Sequence, residues 1–464
     1  MAVKGSVTRR DFLRTATCIG AGVALGGAAA QSAMGGPARH ASILPASVIG
    51  ANERIHLGFI GVGGMGTHNL GITLAREDCV QVAVCDLFPP HRERAAGLIR
   101  EAGHPAPAVY TYHEELIADD SVDAVVVCTP DHWHAIPSIM ACDAGKDVFC
   151  EKPLGTTIEE GRAMTDAARR NDTVFQCGTM QRSGEHFQEA VELVRSGYIG
   201  KVSRVATWIH DNESIEGIGN PPDCDPPDGL DWDRYLGWTP KVPFNPNRFL
   251  GNFRWFLDYS GGKMTDWGAH LIDIALWGMG EEKAPRRVTA SGGRFVLTDN
   301  RTTPDTLEVL YEFDDYVLSF SNRVYNGYPG YGGSGYGTIF FGTLGTLRVD
   351  RGGYWVTPHS EGSCEARERG GSPMSEPHWA NFFECIRERK RPISDVETCH
   401  RTTTTCHMGT CAYVAGGKLE WDADKERFVG RPRANVREAN RFAYRPYGNG
   451  WSLEPPHRKD WTTG

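Results

Sequence analysis

The chain has 464 residues, of which 40% are hydrophobic, with 49 Lys and Arg against 58 Asp and Glu for a net charge of −9. That length allows two or three domains with real cores, and the acidic balance argues against a nucleic-acid partner, which calls for a basic stripe. Thirteen cysteines are an odd number, and Cys85, Cys128 and Cys150 each end an apolar run, so they read as small core hydrophobes rather than disulfide partners.

Near the start, Thr8-Arg9-Arg10-Asp11-Phe12-Leu13-Arg14 precedes a weakly apolar run from Thr15 to Ala30. The pattern resembles a twin-arginine export signal. The run is shorter than the roughly 20 residues of a spanning helix, and Ala28-Ala29-Ala30 offers a cleavage site. The expectation is a periplasmic or otherwise extracytoplasmic protein with no membrane attachment once the signal is removed. Residues 1–48 then form signal and spacer.

Ile55–Ile60, Val80–Cys85, Asp123–Cys128 and Asp147–Cys150 read as buried strands, with helical patterns between them at Pro90–Ala102 and Ile136–Ala144. Near-continuous apolar strands alternating with helices predict a parallel sheet covered on both faces. After Gly178 the texture changes. Asp211–Gly229 is a long loop rich in Pro, Asp and Gly. From Arg287 to Val349 short alternating runs, such as Thr306–Tyr311 and Tyr316–Phe320, predict an antiparallel sheet with one open face, interrupted by a Gly/Tyr-rich loop at Gly327–Gly337. Ser394, Asp395 and Glu397 open a helix with capping-box spacing that runs to Gly416-Gly417. The fold class is α/β: a Rossmann dinucleotide-binding domain over 49–178, then an α+β substrate-binding domain over 179–464. An open-faced sheet of this kind hides its free face in a homodimer or homotetramer.

Three stretches carry chemistry. Gly61-Val62-Gly63-Gly64-Met65-Gly66 follows the first strand and opens a helix, and Asp86 ends the next strand twenty residues after Gly66. Such glycines let backbone approach a pyrophosphate at a helix N-terminus, while the acidic residue takes hydrogen bonds from the ribose. Asp86 repels a 2′-phosphate and so favours NAD over NADP, although Arg92 and Arg94 lie nearby. Cys128-Thr129-Pro130-Asp131-His132 ends a strand at the carboxyl edge where such sheets bind ligands, which brings Thr129, Pro130 and His132 toward the cofactor. Glu151-Lys152-Pro153 ends the strand after that. A Lys beside a positively charged nicotinamide is partly desolvated and near a like charge, and both lower its pKa toward proton transfer. Finally, Asp266 and His270 share one face if Gly261–Asp273 is helical, and a carboxylate one turn away would raise the imidazole pKa and orient it.

The glycine turn, Glu151-Lys152-Pro153 and the Asp266/His270 pair, in this order and at these distances, resemble the Gfo/Idh/MocA family of sugar and polyol oxidoreductases. The resemblance implies that Lys152 and His270 are the proton-transfer candidates, with Asp266 a substrate contact and partner of His270. Gly178-Thr179-Met180-Gln181-Arg182 is also similar to family members, which implies that Gln181 and Arg182 line the sugar site. The implied reaction moves hydride from a secondary carbinol of a sugar, polyol or inositol-like substrate to the nicotinamide while a base takes the hydroxyl proton. An exported enzyme would lack free NAD, so a redox-neutral cycle on tightly bound NAD is the alternative: sugar–sugar oxidoreduction, or glycoside cleavage through a transient ketone. A non-catalytic sugar-binding protein would not need the Lys, Asp and His. No metal is expected. Cys399-His400 and Cys406-His407 sit seven residues apart, roughly 10 Å along a helix at 1.5 Å per residue, too far for one ion. Trp208, His210 and the aromatic segment from Trp232 to Trp255 are open between packing and sugar contact.

Overall fold

A computed structural model describes residues 54–280, 282–455 and 457–458. The expected export signal and spacer, residues 1–48, lie outside the described residues. The first sheet comprises β1 (Ile55–Ile60), β2 (Cys79–Cys85), β3 (Ala108–Tyr110), β4 (Ala124–Val127), β5 (Asp147–Cys150) and β6 (Phe175–Cys177). All pairs are parallel, in the order β3-β2-β1-β4-β5-β6. The strands of this sheet are buried throughout at β4, β5 and β6, as expected for a sheet covered on both sides. The chain order reverses between β1 and β4, and the crevice outside their carboxyl ends is where such folds bind ligands.

The second sheet has ten strands: β7 (Val202–His210), β8 (Arg287–Gly293), β9 (Thr306–Glu312), β10 (Val317–Arg323), β11 (Tyr336–Gly342), β12 (Gly345–Asp350), β13 (Gly353–Pro358), β14 (Arg367–Gly370), β15 (Lys418–Asp422) and β16 (Arg427–Val429). It is antiparallel except at its middle, where β10 runs parallel to β7 from Val317 opposite Arg204. Its alternation is plain in β9, where Leu307, Val309 and Tyr311 point to the core while Glu308 and Leu310 face out. Helices Glu185–Arg195, Gly268–Met279 and Val396–Ala415 supply the other side of that core.

Two local expectations shift. The Val396–Ala415 helix is capped by Asp395, whose carboxylate accepts from Glu397 N–H at 3.1 Å. Ser394 is not the cap because its hydroxyl is held by Thr179 Oγ1 at 2.9 Å. The run from Lys263 to Met279 is not one helix either. It is Lys263–Asp266 and Gly268–Met279 with Trp267 between them.

The described residues from Ile55 onward form one compact unit, and the reason is visible in the cores. Helix Ser375–Glu388 returns to the first sheet and places Trp379, Phe382 and Phe383 in the same cluster as Leu57, Phe59 and Phe149. Trp379 stacks on Phe149 with centroids 4.3 Å apart.

Candidate active site

The glycine turn is held by its neighbours. Gly61 has φ +82°, and a Cβ there would meet Thr129 N at 2.7 Å, so the β4 loop can lie directly against it. A Cβ on Gly64 would meet nothing within 4 Å, which leaves open space beside the helix N-terminus. Asp86 closes the ring, accepting from Val62 N–H and Phe88 N–H at 2.9 Å each. Arg92 is turned to the carbonyl of Asp86 at 2.8 Å, and Arg94 to that of Val62 at 2.9 Å, so both cations are engaged with backbone.

These residues line a cleft of about 830 Å³ that runs from Asp86 past Gly63, Gly64, Met65, Thr129 and Pro130 to Glu151 and Lys152. Its outer wall comes from the second half of the chain, through Leu230, Tyr235, Phe249 and Phe253. That wall is pinned to the Rossmann half. Phe249 meets Phe88 edge-on at 5.4 Å, and Arg234 forms a buried ion pair with Glu114.

At the far end of the cleft Lys152 Nζ donates to Asp266 Oδ1 at 2.5 Å and to the Asp266 carbonyl at 3.1 Å. Both side chains keep some exposure, 14% and 17%. Burial works against ionisation of Asp266, but the Lys152 ammonium, with Arg254 and Lys263 behind it, outweighs burial and holds the carboxyl well below the usual range. The carboxylate therefore serves Lys152, contrary to the expected partnership with His270. Trp267 keeps helical dihedrals, φ −94° and ψ −31°, so it is the hydrogen bond from Lys152 that claims the carboxylate rather than a turn of the chain. His270 is buried, with Nδ1 lacking a partner among the described residues. Burial first, then the charges of Lys152 and Arg351, push its imidazole well below the ordinary value, and Asp266 opposes this only in part. The imidazole is neutral, not raised as its spacing from Asp266 predicted.

The chain belongs to the Gfo/Idh/MocA oxidoreductase family. Three models of that family match in sequence: its NAD-binding Rossmann fold over residues 55–179, its GFO/IDH/MocA C-terminal domain over 239–348, and its C-terminal alpha/beta domain over 367–452. A glycosyl hydrolase family 109 protein of Saccharopolyspora erythraea is 32% identical over 215 residues, which is 44% of this chain and 46% of the relative. An alpha-N-acetylgalactosaminidase of Shewanella oneidensis is 32% identical over 220 residues, 44% of this chain and 47% of the relative. The matches thus span under half the length of these relatives. Among solved structures, levoglucosan dehydrogenase in complex with NADH superposes with a TM-score of 0.60 at 20% identity, over 81% of this chain and 98% of its own. The WlbA dehydrogenase of Bordetella pertussis, in complex with NADH and UDP-GlcNAcA, gives 0.60 at 17% identity, over 80% and 100%. At such identities these likenesses speak for the fold.

As a Gfo/Idh/MocA protein the chain carries an NAD-binding Rossmann domain, and its own atoms fit the dinucleotide. Thr129 Oγ1 is buried on the cleft wall with no partner among the described residues, a hydroxyl available to bond a ligand. Asp86 stands where a ribose would lie, and the space beside Gly64 admits a pyrophosphate.

Three expected contacts fall elsewhere. Gly66 does not line the cleft; its Cα abuts the turn, where a Cβ would lie 2.0 Å from the Gly61 carbonyl. His132 is buried behind the wall, its Nε2 2.8 Å from the Tyr235 carbonyl and its ring against Tyr259, because the Asp131–Trp133 turn rotates it away. Arg182 is sealed in a pair with Asp273, Nε–Oδ2 2.7 Å and Nη2–Oδ1 2.8 Å, at 2% and 1% exposure. Gln181 does sit by the catalytic end, with Oε1 accepting from Arg351 Nε at 3.2 Å and Nε2 on the His270 carbonyl at 3.4 Å.

Sequence reasoning missed two cleft residues in the same short motif. His134 bridges the loops that carry Thr129 and Lys152, with Nε2 2.9 Å from the Thr129 carbonyl and Nδ1 2.7 Å from that of Pro153. Asp131 faces the cleft and accepts from Ser260 Oγ at 2.5 Å. Burial raises its carboxyl to about 7, against the pull of the Ser260 hydroxyl, Arg254 and Lys152. The signal was present as a second His two places after the first, which a one-turn helix brings to the opposite side. The Cys-His repeat on Val396–Ala415 is structural: His400 Nε2 pairs with Glu426 at 2.7 Å and His407 Nε2 lies 3.3 Å from the Gly155 carbonyl. Among the described residues no cluster could hold a metal ion.

Proposed function

We propose that the protein oxidises a secondary alcohol of a sugar or polyol, using NAD. The observation that carries this reading is the Lys152–Asp266 pair at the end of the nucleotide cleft, beside a neutral His270. NAD, when bound, supplies the hydride acceptor. Lys152 Nζ, fixed by Asp266, is positioned to donate a hydrogen bond to the carbinol oxygen and to stabilise negative charge developing there. His270 carries an unprotonated nitrogen and is the group that can take the hydroxyl proton. Domain roles follow from this: residues up to about 178 hold the cofactor, and the segment after them presents Asp266, His270 and Gln181 to the substrate.

The direct test is single-turnover fluorescence of reduced nicotinamide when the NAD-loaded protein meets a panel of aldoses, polyols and inositols. Reduction by at least one member is expected. Silence across the panel, with the cofactor demonstrably bound, overturns the reading.

A second reading is supported by the wall over the cleft. With Phe249 against Phe88 and Arg234 buried on Glu114, a bound dinucleotide would leave only after the 230–254 segment moved. A retained cofactor suits a redox-neutral cycle, either between two sugars or in glycoside cleavage, and the glycosidase names of relatives matched over 44% of this chain accord with the latter. It also suits the export expected from Arg9-Arg10, since a folded chain would carry its NAD out. Denaturing protein purified without added nucleotide and quantifying released NAD(H) separates the two. About one equivalent per chain supports the closed cycle, and an empty protein returns the weight to a conventional dehydrogenase.

A further inference from the structure

Arg351 stands on the turn between β12 and β13. The turn is stiff: Gly352 N–H donates to Asp350 Oδ1 at 2.8 Å, and Arg348 Nη1 pairs with Asp350 Oδ2 at 2.6 Å. From there the Arg351 side chain crosses Trp267, its guanidinium carbon 4.9 Å from the ring centroid. Its Nε is spent on Gln181. The terminal nitrogens have no carboxylate partner among the described residues, because Asp350 belongs to Arg348, Asp211 to Lys263 and Asp266 to Lys152. Burial disfavours this cation, and only Tyr336 and the already engaged Asp266 favour it.

The surroundings point the same way. Lys152, Arg254, Lys263 and Arg351 all act on Asp266 or His270, and the carboxylates among them are Asp266 and Asp211, with Asp131 held on Ser260. Four cations thus stand against two paired carboxylates, a local excess of positive charge in a chain whose net charge is −9. A local excess of one sign of charge concentrates ligands of the other. Aromatic rings lie alongside: Tyr336 is 4.8 Å from Trp267, and Trp255 lies beneath Lys263 at 5.4 Å.

We propose that the substrate is an acidic sugar, a ring bearing a carboxylate, and that Arg351 selects it. The planar fork of a guanidinium matches a carboxylate with two parallel N–H···O bonds. Gln181 sets the fork's orientation through Nε, and the ring of the sugar lies over Trp267. The carboxylate also supplies the anion that Arg351 lacks, and by neutralising it removes one of the charges that weaken His270 as a proton acceptor. This inference rests on the reading of Lys152, Asp266 and His270 as the reacting end of the site.

The test reads binding, not turnover. NAD-loaded protein is titrated with glucuronate, galacturonate and mannuronate and with the three parent hexoses, following tryptophan fluorescence. At least one uronate is expected to bind tenfold or more tighter than its parent, with a margin that shrinks as salt rises. Arg351→Gln should bring the two within about twofold, and Arg351→Lys should keep part of the preference. If no uronate outbinds its parent, or if the preference survives Arg351→Gln, the inference falls. Should Arg351→Gln fail to fold, Gln181→Leu, which frees the fork without removing it, is expected to narrow the preference. Hydride transfer failing while the preference stands would overturn the proposed reaction and leave Arg351 as the selector. Turnover of neutral sugars without a preference would do the reverse.

Discussion

Two ion pairs join the same two parts of the molecule. Lys152 and Arg182 both follow strands of the first sheet, and Asp266 and Asp273, seven residues apart, receive them from the segment that begins at Lys263. One pair sits at 14% and 17% exposure on the cleft, the other at 2% and 1% in the core. Arg182 is satisfied twice by Asp273, which takes a third bond from Thr402 Oγ1 at 2.9 Å, and its guanidinium lies over Trp277 at 4.9 Å. Lys152 has three donors, and the two it uses both go to one residue. The same chemistry thus becomes scaffold where the pair is doubly bonded and water excluded, and becomes a candidate for catalysis where a donor is left over and a ligand can reach it.

The difference can be broken from either side. Lys152→Ala should lower turnover by about 10³-fold while leaving bound NAD and the melting temperature nearly unchanged, read by steady-state rates, nucleotide release and calorimetry. Loss of fold would make the two pairs equivalent and defeat the distinction. Arg182→Ala should do the opposite, costing roughly 3–5 kcal/mol by stranding a buried carboxylate, measured by denaturant unfolding. Arg182→Met with Asp273→Leu, which removes both charges, should recover much of that loss.

His270→Gln is expected to slow turnover on the order of 10²-fold. Because burial and neighbouring cations keep His270 neutral, no limb near the ordinary histidine pKa of about 6.5 should vanish from the pH–rate profile in this variant. A limb that does vanish would show that His270 titrates normally. The smallest effect sharpens the picture of the open end. Asp131, raised to about 7, holds its proton in the folded chain at pH values where the unfolded chain has lost it. Stability therefore falls as pH rises from about 4 to 7. Asp131→Asn should flatten that slope and leave the variant roughly 2 kcal/mol ahead of the parent at pH 8, about half of what the full shift implies at 1.36 kcal/mol per unit. Parallel slopes in the two proteins would place the titration elsewhere.

Much of this was legible in the residues. Four of the six strands of the first sheet match their apolar runs to within a residue or two, because a doubly covered sheet writes itself as uninterrupted Val, Ile and Phe, while β3 and β6, three residues each, are too short to announce themselves. The glycine turn and Asp86 carry their own spacing. Leu307, Val309 and Tyr311 announced the second sheet by alternation, but nothing local marked β10 as parallel to β7, since pairing direction depends on strands a hundred residues apart. In the site, Asp266 lies against Lys152 rather than His270, a pairing between residues 114 apart in sequence that helical spacing alone does not reveal. Arg182 and His132 were misplaced because polar residues in a motif look alike whether they face a ligand or a core. What decides is desolvation, and only tertiary packing sets that. Arg351 and the wall at Leu230, Tyr235 and Phe249 come from chain remote from every motif.

Helix Ser375–Glu388 reaches back across the molecule. Its Trp379 donates from Nε1 to Asn69 Oδ1 at 3.2 Å, and Asn69 in turn donates to Glu151 Oε1 at 2.8 Å. The tail beyond it continues the link, with Arg445 on the Thr156 carbonyl at 3.0 Å and Tyr447 on Glu160 at 2.5 Å. As the chain leaves the ribosome, its nucleotide-binding half appears first and its keystone last. Domains otherwise tend to fold in the order they are made. Here the cradle around Glu151 and Lys152 stays unfinished until synthesis has passed residue 447, so the cofactor can be locked in only after some three hundred residues beyond its own cradle have been made.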